Sequence, residues 1–272
     1  MYDLRLLLTG RGDYVPLDLA ALQLATIEYP GLDVELFIQM LDSYAVEMAS
    51  LLPEGADGED FVVALNEYLF DELGFEGNES EYYDPRNSCL NEVLARRTGI
   101  PITLSIVYME IARRLAKPVS GVAMPGHFLV VYDDGEFRSF IDPFNRGRLL
   151  TQEECRDFAR VTAGVDLENN PELLNAVGNR HILIRMLNNL RGVYLRQQAY
   201  TKAVEVLNLL IEGFPNSAEE RRQRGMLNVE LRQYQAARAD LEAYLRLAPG
   251  ARDRAAIEEQ IAKMKRSGSR LT

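Results

Sequence analysis

The chain has 272 residues, which suggests two domains or one large one, and its 47% hydrophobic fraction is ample for a packed core. A formal charge of −11 argues against phosphate-backbone binding, so nucleic acid is not the expected partner. No apolar stretch approaches the roughly 20 residues that cross a membrane. The two cysteines, Cys89 and Cys155, make neither a disulfide framework nor a zinc motif, so the composition predicts a cytoplasmic, thiol-reduced protein with no metal or cofactor.

The apolar run Leu6-Leu7-Leu8 is too short for a signal-peptide core, and no small-residue cleavage site follows it. Residues 1–116 read as helical. From Asp33 to Leu52, the residues Leu36, Phe37, Met40, Leu41, Tyr44, Met48 and Leu51 form one stripe at helical spacing. A second helix is expected over Asp57 to Leu73, opened by acidic residues, and the glycine-rich stretch Gly74–Ser80 is a loop. Asn87 or Ser88 then caps a helix running to about Arg97. Pro101 opens the next, with Thr103 as a possible cap and an apolar face of Leu104, Val107, Tyr108, Ile111, Ala112 and Leu115.

After Lys117-Pro118 the period changes from 3.6 to 2. Val119–Met124, His127–Tyr132 and Glu136–Ile141 read as three strands, the last two joined by a turn at Asp134-Gly135. With a two-residue turn, Asp133 faces Glu136, and the same register sets His127 opposite Asp142 with Cβ atoms about 4.5–5.5 Å apart. A carboxylate beside an imidazole fixes the ring tautomer and supplies two members of a nucleophile–base–orienter triad. The plainer alternative is a structural hydrogen bond at a sheet end. The expected cleft is bounded by the helix that starts near Thr103, with Asn145 and Arg148 on its rim. A helix over Glu153–Thr162 carries Cys155 in a packing role.

The C-terminal third repeats itself. Shifting the segment Ile184–Pro215 by 34 residues lays Tyr200 on Tyr234, Ala203 on Ala237, Leu207 on Leu241 and Pro215 on Pro249. This resembles the tetratricopeptide repeat, in which two antiparallel helices form each unit. Helices are expected at about 184–197, 201–213, 218–231 and 235–247. A capping helix over Ala251–Lys265 is expected to bury Ala255, Ile257, Ile261 and Met264. Ala203 and Ala237 let paired helices approach, and Leu187, Leu190 and Tyr194 fill the groove between them. Such modules mostly bind peptides on a concave face lined by first helices, where Arg185, Asn188, Asn189, Arg191 and Arg222 are placed. The expected partner is therefore a protein or peptide.

The order helix, strand with histidine, strand with Asp-Pro resembles the transglutaminase-like core. The stretches Asp84-Pro85-Arg86-Asn87-Ser88, Gly99-Ile100-Pro101-Ile102-Thr103-Leu104-Ser105, Pro125-Gly126-His127-Phe128-Leu129-Val130 and Ile141-Asp142-Pro143-Phe144-Asn145 are similar to those of the SirB family of bacterial proteins, which also carries C-terminal tetratricopeptide repeats. The resemblance implies an α+β fold: a helical N-terminal region with a small antiparallel sheet over residues 1–165, then an all-α repeat domain over 166–272. It implies His127 as triad base and Asp142 as its orienter. The nucleophile does not carry over, because the helix start has no cysteine. The expected function is an interaction protein with a transglutaminase-like fold and no nucleophile. The alternative is a hydrolase or acyl-transfer enzyme using Ser105, Thr103 or Cys89 with His127 and Asp142.

Overall fold

The computed structural model describes residues 16–268 together with Leu8. The N-terminal reading of Leu6-Leu7-Leu8 and of helix before Pro16 falls, Leu8 apart, outside the described residues. No helix among them is long and apolar enough to cross a membrane. Contacts divide the chain into two compact units, one ending at Met186 and one beginning at Leu187.

The first unit begins with α1 (Leu17–Ala25) and α2 (Val34–Leu51), the latter capped by Asp33, whose side chain accepts the Leu36 N–H. Only the middle of the expected α2 stripe is covered: Leu41, Tyr44 and Met48 are buried, while Leu36 and Leu51 are 57% and 45% exposed. Helix α3 (Gly58–Asn66) starts from a reciprocal Asp57–Asp60 capping box and widens into a π-helical turn over Glu67–Glu72. That turn buries the consecutive Tyr68, Leu69 and Phe70, which an α-helix would splay over most of its circumference.

A short parallel pair follows, β1 (Glu76–Gly77) with β2 (Thr98–Gly99), enclosing α4 (Leu90–Arg96). Asn87 and Ser88 do not cap α4, since Cys89 occupies the cap position without a side-chain bond. Asn87 is instead a fully buried hub. Its amide donates to the Glu81 and Tyr82 carbonyls, its Oδ1 accepts from Asn78 and Arg96, and its carbonyl accepts the Thr103 hydroxyl. Helix α5 (Pro101–Arg114) is buried on every side from Pro101 to Ala112. It packs against α1, α2, β3 and β4 as the axis of the unit.

The antiparallel sheet has five strands, in the order β6-β5-β4-β3-β7: β3 (Val119–Val122), β4 (Leu129–Asp133), β5 (Arg138–Asp142), β6 (Arg148–Leu150) and β7 (Ala176–Val177). The hairpin register differs from the expected one by two residues, because Asp133 pairs with Arg138 rather than facing Glu136. Side chains close the longer loop: Asp134 Oδ1 accepts the Glu136 and Phe137 N–H groups at 3.0 and 2.7 Å, and Asp133 Oδ1 accepts that of Gly135 at 3.2 Å. A shift of two preserves which face each residue occupies.

Helix α6 (Gln152–Ala163) covers an apolar layer of Val122, Leu129, Val131, Phe140, Cys155 and Ala159. Leu167 and Leu174 complete that layer and β7 extends the sheet, so the expected division at 165/166 falls inside the first unit.

Helix α7 (Asn179–Arg196) begins in the first unit and ends in the second. Then come α8 (Tyr200–Gly213), α9 (Ala218–Glu230), α10 (Tyr234–Leu247) and α11 (Arg254–Gly268), consecutive helices packing in turn. Ala203, Ala237, Leu187 and Leu190 are fully buried and Tyr194 is nearly so, as the 34-residue period predicts. Gly225 allows α9 to meet α10, since a Cβ there would lie 2.8 Å from Leu241. Ile257, Ile261 and Met264 are buried, but Ala255 is exposed because α11 offers only one row to α10.

Candidate functional site

His127 lies just before β4, in a turn formed by Met124-Pro125-Gly126-His127. Its N–H bonds the Met124 carbonyl at 3.1 Å, and Gly126 takes the left-handed φ of 75° that proline followed by glycine accommodates. Asp142 ends β5 and starts a 3₁₀ turn over Pro143–Asn145. The two side chains meet: His127 Nε2 is 2.8 Å from Asp142 Oδ2, and they are 7% and 2% exposed.

Asp142 is the more heavily bonded partner. Its Oδ1 accepts the N–H groups of Phe144 and Asn145 at 3.1 and 3.3 Å, and its Oδ2 accepts Asn145 Nδ2 at 2.7 Å. Burial pushes the carboxyl up, but the hydrogen bond and charge of His127 and the Asn145 donors outweigh it, holding Asp142 below the usual carboxylate range. An ionised carboxylate only accepts, so Nε2 of His127 carries the proton and Nδ1 is the nitrogen left for a further partner. Asn145, expected on a cleft rim, is thus a direct member of the cluster.

Aromatic rings flank the imidazole. Phe158 of α6 lies 4.9 Å away by ring centroids and Phe144 6.1 Å away. A shallow groove of about 370 Å³ adjoins Phe158, lined by Arg148 and Leu150 of β6 and by Glu154, Asp157, Val161 and Thr162 of α6. Arg148 pairs with Asp142 in the strand register, yet its guanidinium turns to Glu154 at 2.9 Å. The wall of this groove is α6, while α5 packs on the 3₁₀ turn that follows Asp142. Phe158 carried no signal beyond its place in an amphipathic helix.

Among the described residues no serine, threonine or cysteine hydrogen-bonds to the histidine. Thr103 is fully buried and committed to the main chain, its Oγ1 accepting the Ile100 N–H at 3.1 Å and donating to the Asn87 carbonyl at 2.8 Å. Ser105 is fully buried and its Oγ has no hydrogen-bond partner among the described residues. Cys89 is fully buried at the head of α4, within electrostatic reach of Tyr29. Burial, with Glu154 and Asp142 adding to it, pushes the Cys155 thiol up to about 12, so it is protonated near neutral pH.

Of the residues assigned to a peptide-binding face, Asn188 is exposed and Asn189 half-buried. Arg191 reaches Glu220 at 3.6 Å, and Arg222 bonds Asp253 at 2.6 Å. Arg185 is not on that face: it belongs to the first unit and bonds the main chain of the histidine turn. Helix α7 starts at Asn179, five residues earlier than expected, which draws its first turns into the sheet unit.

The family described as the transglutaminase-like superfamily matches residues 35–188, a span that holds the sheet, α5 and the His127–Asp142 pair. The chain belongs to this superfamily. The tetratricopeptide repeat family matches residues 190–262. A UPF0162 protein of Xylella fastidiosa is 40% identical, covering 89% of this chain and 88% of its own length. A UPF0162 protein of Vibrio cholerae is 29% identical over 75% of this chain and 78% of its own. The F-box only protein 21 of Homo sapiens is 34% identical over 57% of this chain and 26% of its own length. The transglutaminase-like match thus spans His127 and Asp142, and the tetratricopeptide match follows it.

Proposed function

We propose that this chain is a protein-interaction or regulatory protein in which a transglutaminase-like core without a nucleophile is joined to a peptide-binding tetratricopeptide module. The observation that carries this reading is the start of α5. Thiol chemistry needs a cysteine there, where orphan main-chain amides and the helix dipole lower a thiol pKa. The helix instead begins Pro101-Ile102-Thr103, and the one hydroxyl in that first turn is closed into main-chain bonds. The motifs shared with the SirB family support the same architecture. Asn188, Asn189 and Arg191 remain the candidates for peptide contact, with Arg222 reachable once its pairing to Asp253 exchanges.

A second reading, hydrolysis or acyl transfer through Ser105, rests on one observation: its buried Oγ is unpartnered among the described residues. Iodoacetamide and fluorophosphonate probes separate the two. The interaction reading expects no His127-dependent labelling in the native protein. Labelling lost on His127→Ala, and mapped to Ser105 or Cys89, would establish the enzyme instead.

A further inference from the structure

We propose that Arg185 is a positioning residue for His127: it clamps both ends of the Met124–His127 turn and so holds the imidazole against Asp142. This goes beyond the interaction reading and stands whether or not the site is catalytic.

One guanidinium nitrogen, Nη2, donates to the His127 carbonyl at 2.6 Å and to the Met124 carbonyl at 3.1 Å. These are the two terminal carbonyls of the turn. The turn has little else to hold it. Pro125 has no N–H, and its internal bond is the His127 N–H to the same Met124 carbonyl. The guanidinium also lies over the Phe128 ring, 5.5 Å from its centroid, which fixes its plane. Arg185 has no carboxylate partner among the described residues, although burial pushes its guanidinium down from its ordinary value, with Tyr82 opposing. A half-buried arginine answered by two carbonyls and a ring, with no counter-charge, is dedicated to orienting main chain. Rotation of the His127 peptide would swing the ring away from Asp142 Oδ2, because only the Cα–Cβ and Cβ–Cγ torsions separate the two.

The chain has two histidines, and the exposed His181 serves as an internal reference. Long-range ¹H–¹⁵N spectra of both imidazoles read the pair directly. In the native chain His127 is expected to show a slowly exchanging, downfield Nε2 proton that His181 lacks. Arg185→Met is expected to lose that resonance. Arg185→Lys, which keeps a cation but not the planar fork, is expected to fall between the two. A folded Arg185→Met protein with the native His127 spectrum overturns the proposal. If Arg185→Met does not fold, a native His127 spectrum in Arg185→Lys overturns it equally.

Discussion

Removing the Asp142 carboxylate is the sharpest perturbation of the site. In Asp142→Ala, the N–H groups of Phe144 and Asn145 lose a cap-like acceptor, costing about 0.5–2 kcal/mol. The His127 ring, 7% exposed, keeps a buried N–H without an acceptor, about 1–3 kcal/mol more. Asn145 is exposed, so its amide rehydrates at little cost. The expected total is about 2–5 kcal/mol for Asp142→Ala, and roughly half of that for Asp142→Asn, which keeps one oxygen. The two compact units need not unfold together, so the measurement is native-state hydrogen exchange at amides of β4 and β5. The pH dependence has a definite sign. The folded-state pKa of Asp142 is held below its ordinary value, so its contribution is complete above the ordinary carboxylate pKa and is lost as pH falls through the folded value. The gap between native protein and Asp142→Asn should therefore close as pH falls through the folded-state value. A cost below about 0.5 kcal/mol for Asp142→Ala, or a gap that widens in acid, refutes the reasoning.

In the repeats, Ala203→Leu overpacks a fully buried contact and should cost about 1–3 kcal/mol, read as faster exchange in α8 and α9; no change would break the 34-residue alignment. Arg224 holds the buried Asp240 with two bonds of 2.6 and 2.8 Å. Arg224→Met should therefore destabilise α9 and α10 by about 3 kcal/mol, while Arg224→Met with Asp240→Leu recovers most of it; an additive double variant refutes the coupling. Cys155, buried and with its thiol pushed up to about 12, should resist iodoacetamide in native protein at pH 8 and react fully in urea, and fast native alkylation would show that its apolar layer opens.

Much of the fold was legible because long amphipathic helices and a 34-residue period are strong, repeated signals. Ala203 and Ala237 were placed by offset alone, and both are fully buried. The His127–Asp142 contact was also legible, although the turn is two residues longer than the Asp-Gly pair suggests, because an even shift leaves both side chains on the same face. What escaped the sequence was local or distant. Strands of two or three residues, such as β1, β2 and β7, are too short to show a period. Asn87 read as a cap because Asn is a common cap, whereas its side chain is spent on four long-range and local bonds that no spacing encodes. Arg185 read as surface because it sits on the first helix of a repeat. Its actual partners are 58 and 61 positions away in sequence.

Helix α7 has a consequence for how such a chain can be taken apart. It is one unbroken helix from Asn179 to Arg196, yet the superfamily match ends at 188 and the repeat match begins at 190. A gene fusion or an engineered graft that joined modules at that border would sever a helix in mid-course, leaving four orphan N–H groups where there were none. It would also strand Arg185 on the donor side of the cut, so that a repeat taken alone arrives without nearly three of its first helix's turns and a core taken alone carries a frayed stub. A graft that keeps α7 whole avoids cutting the helix at that border.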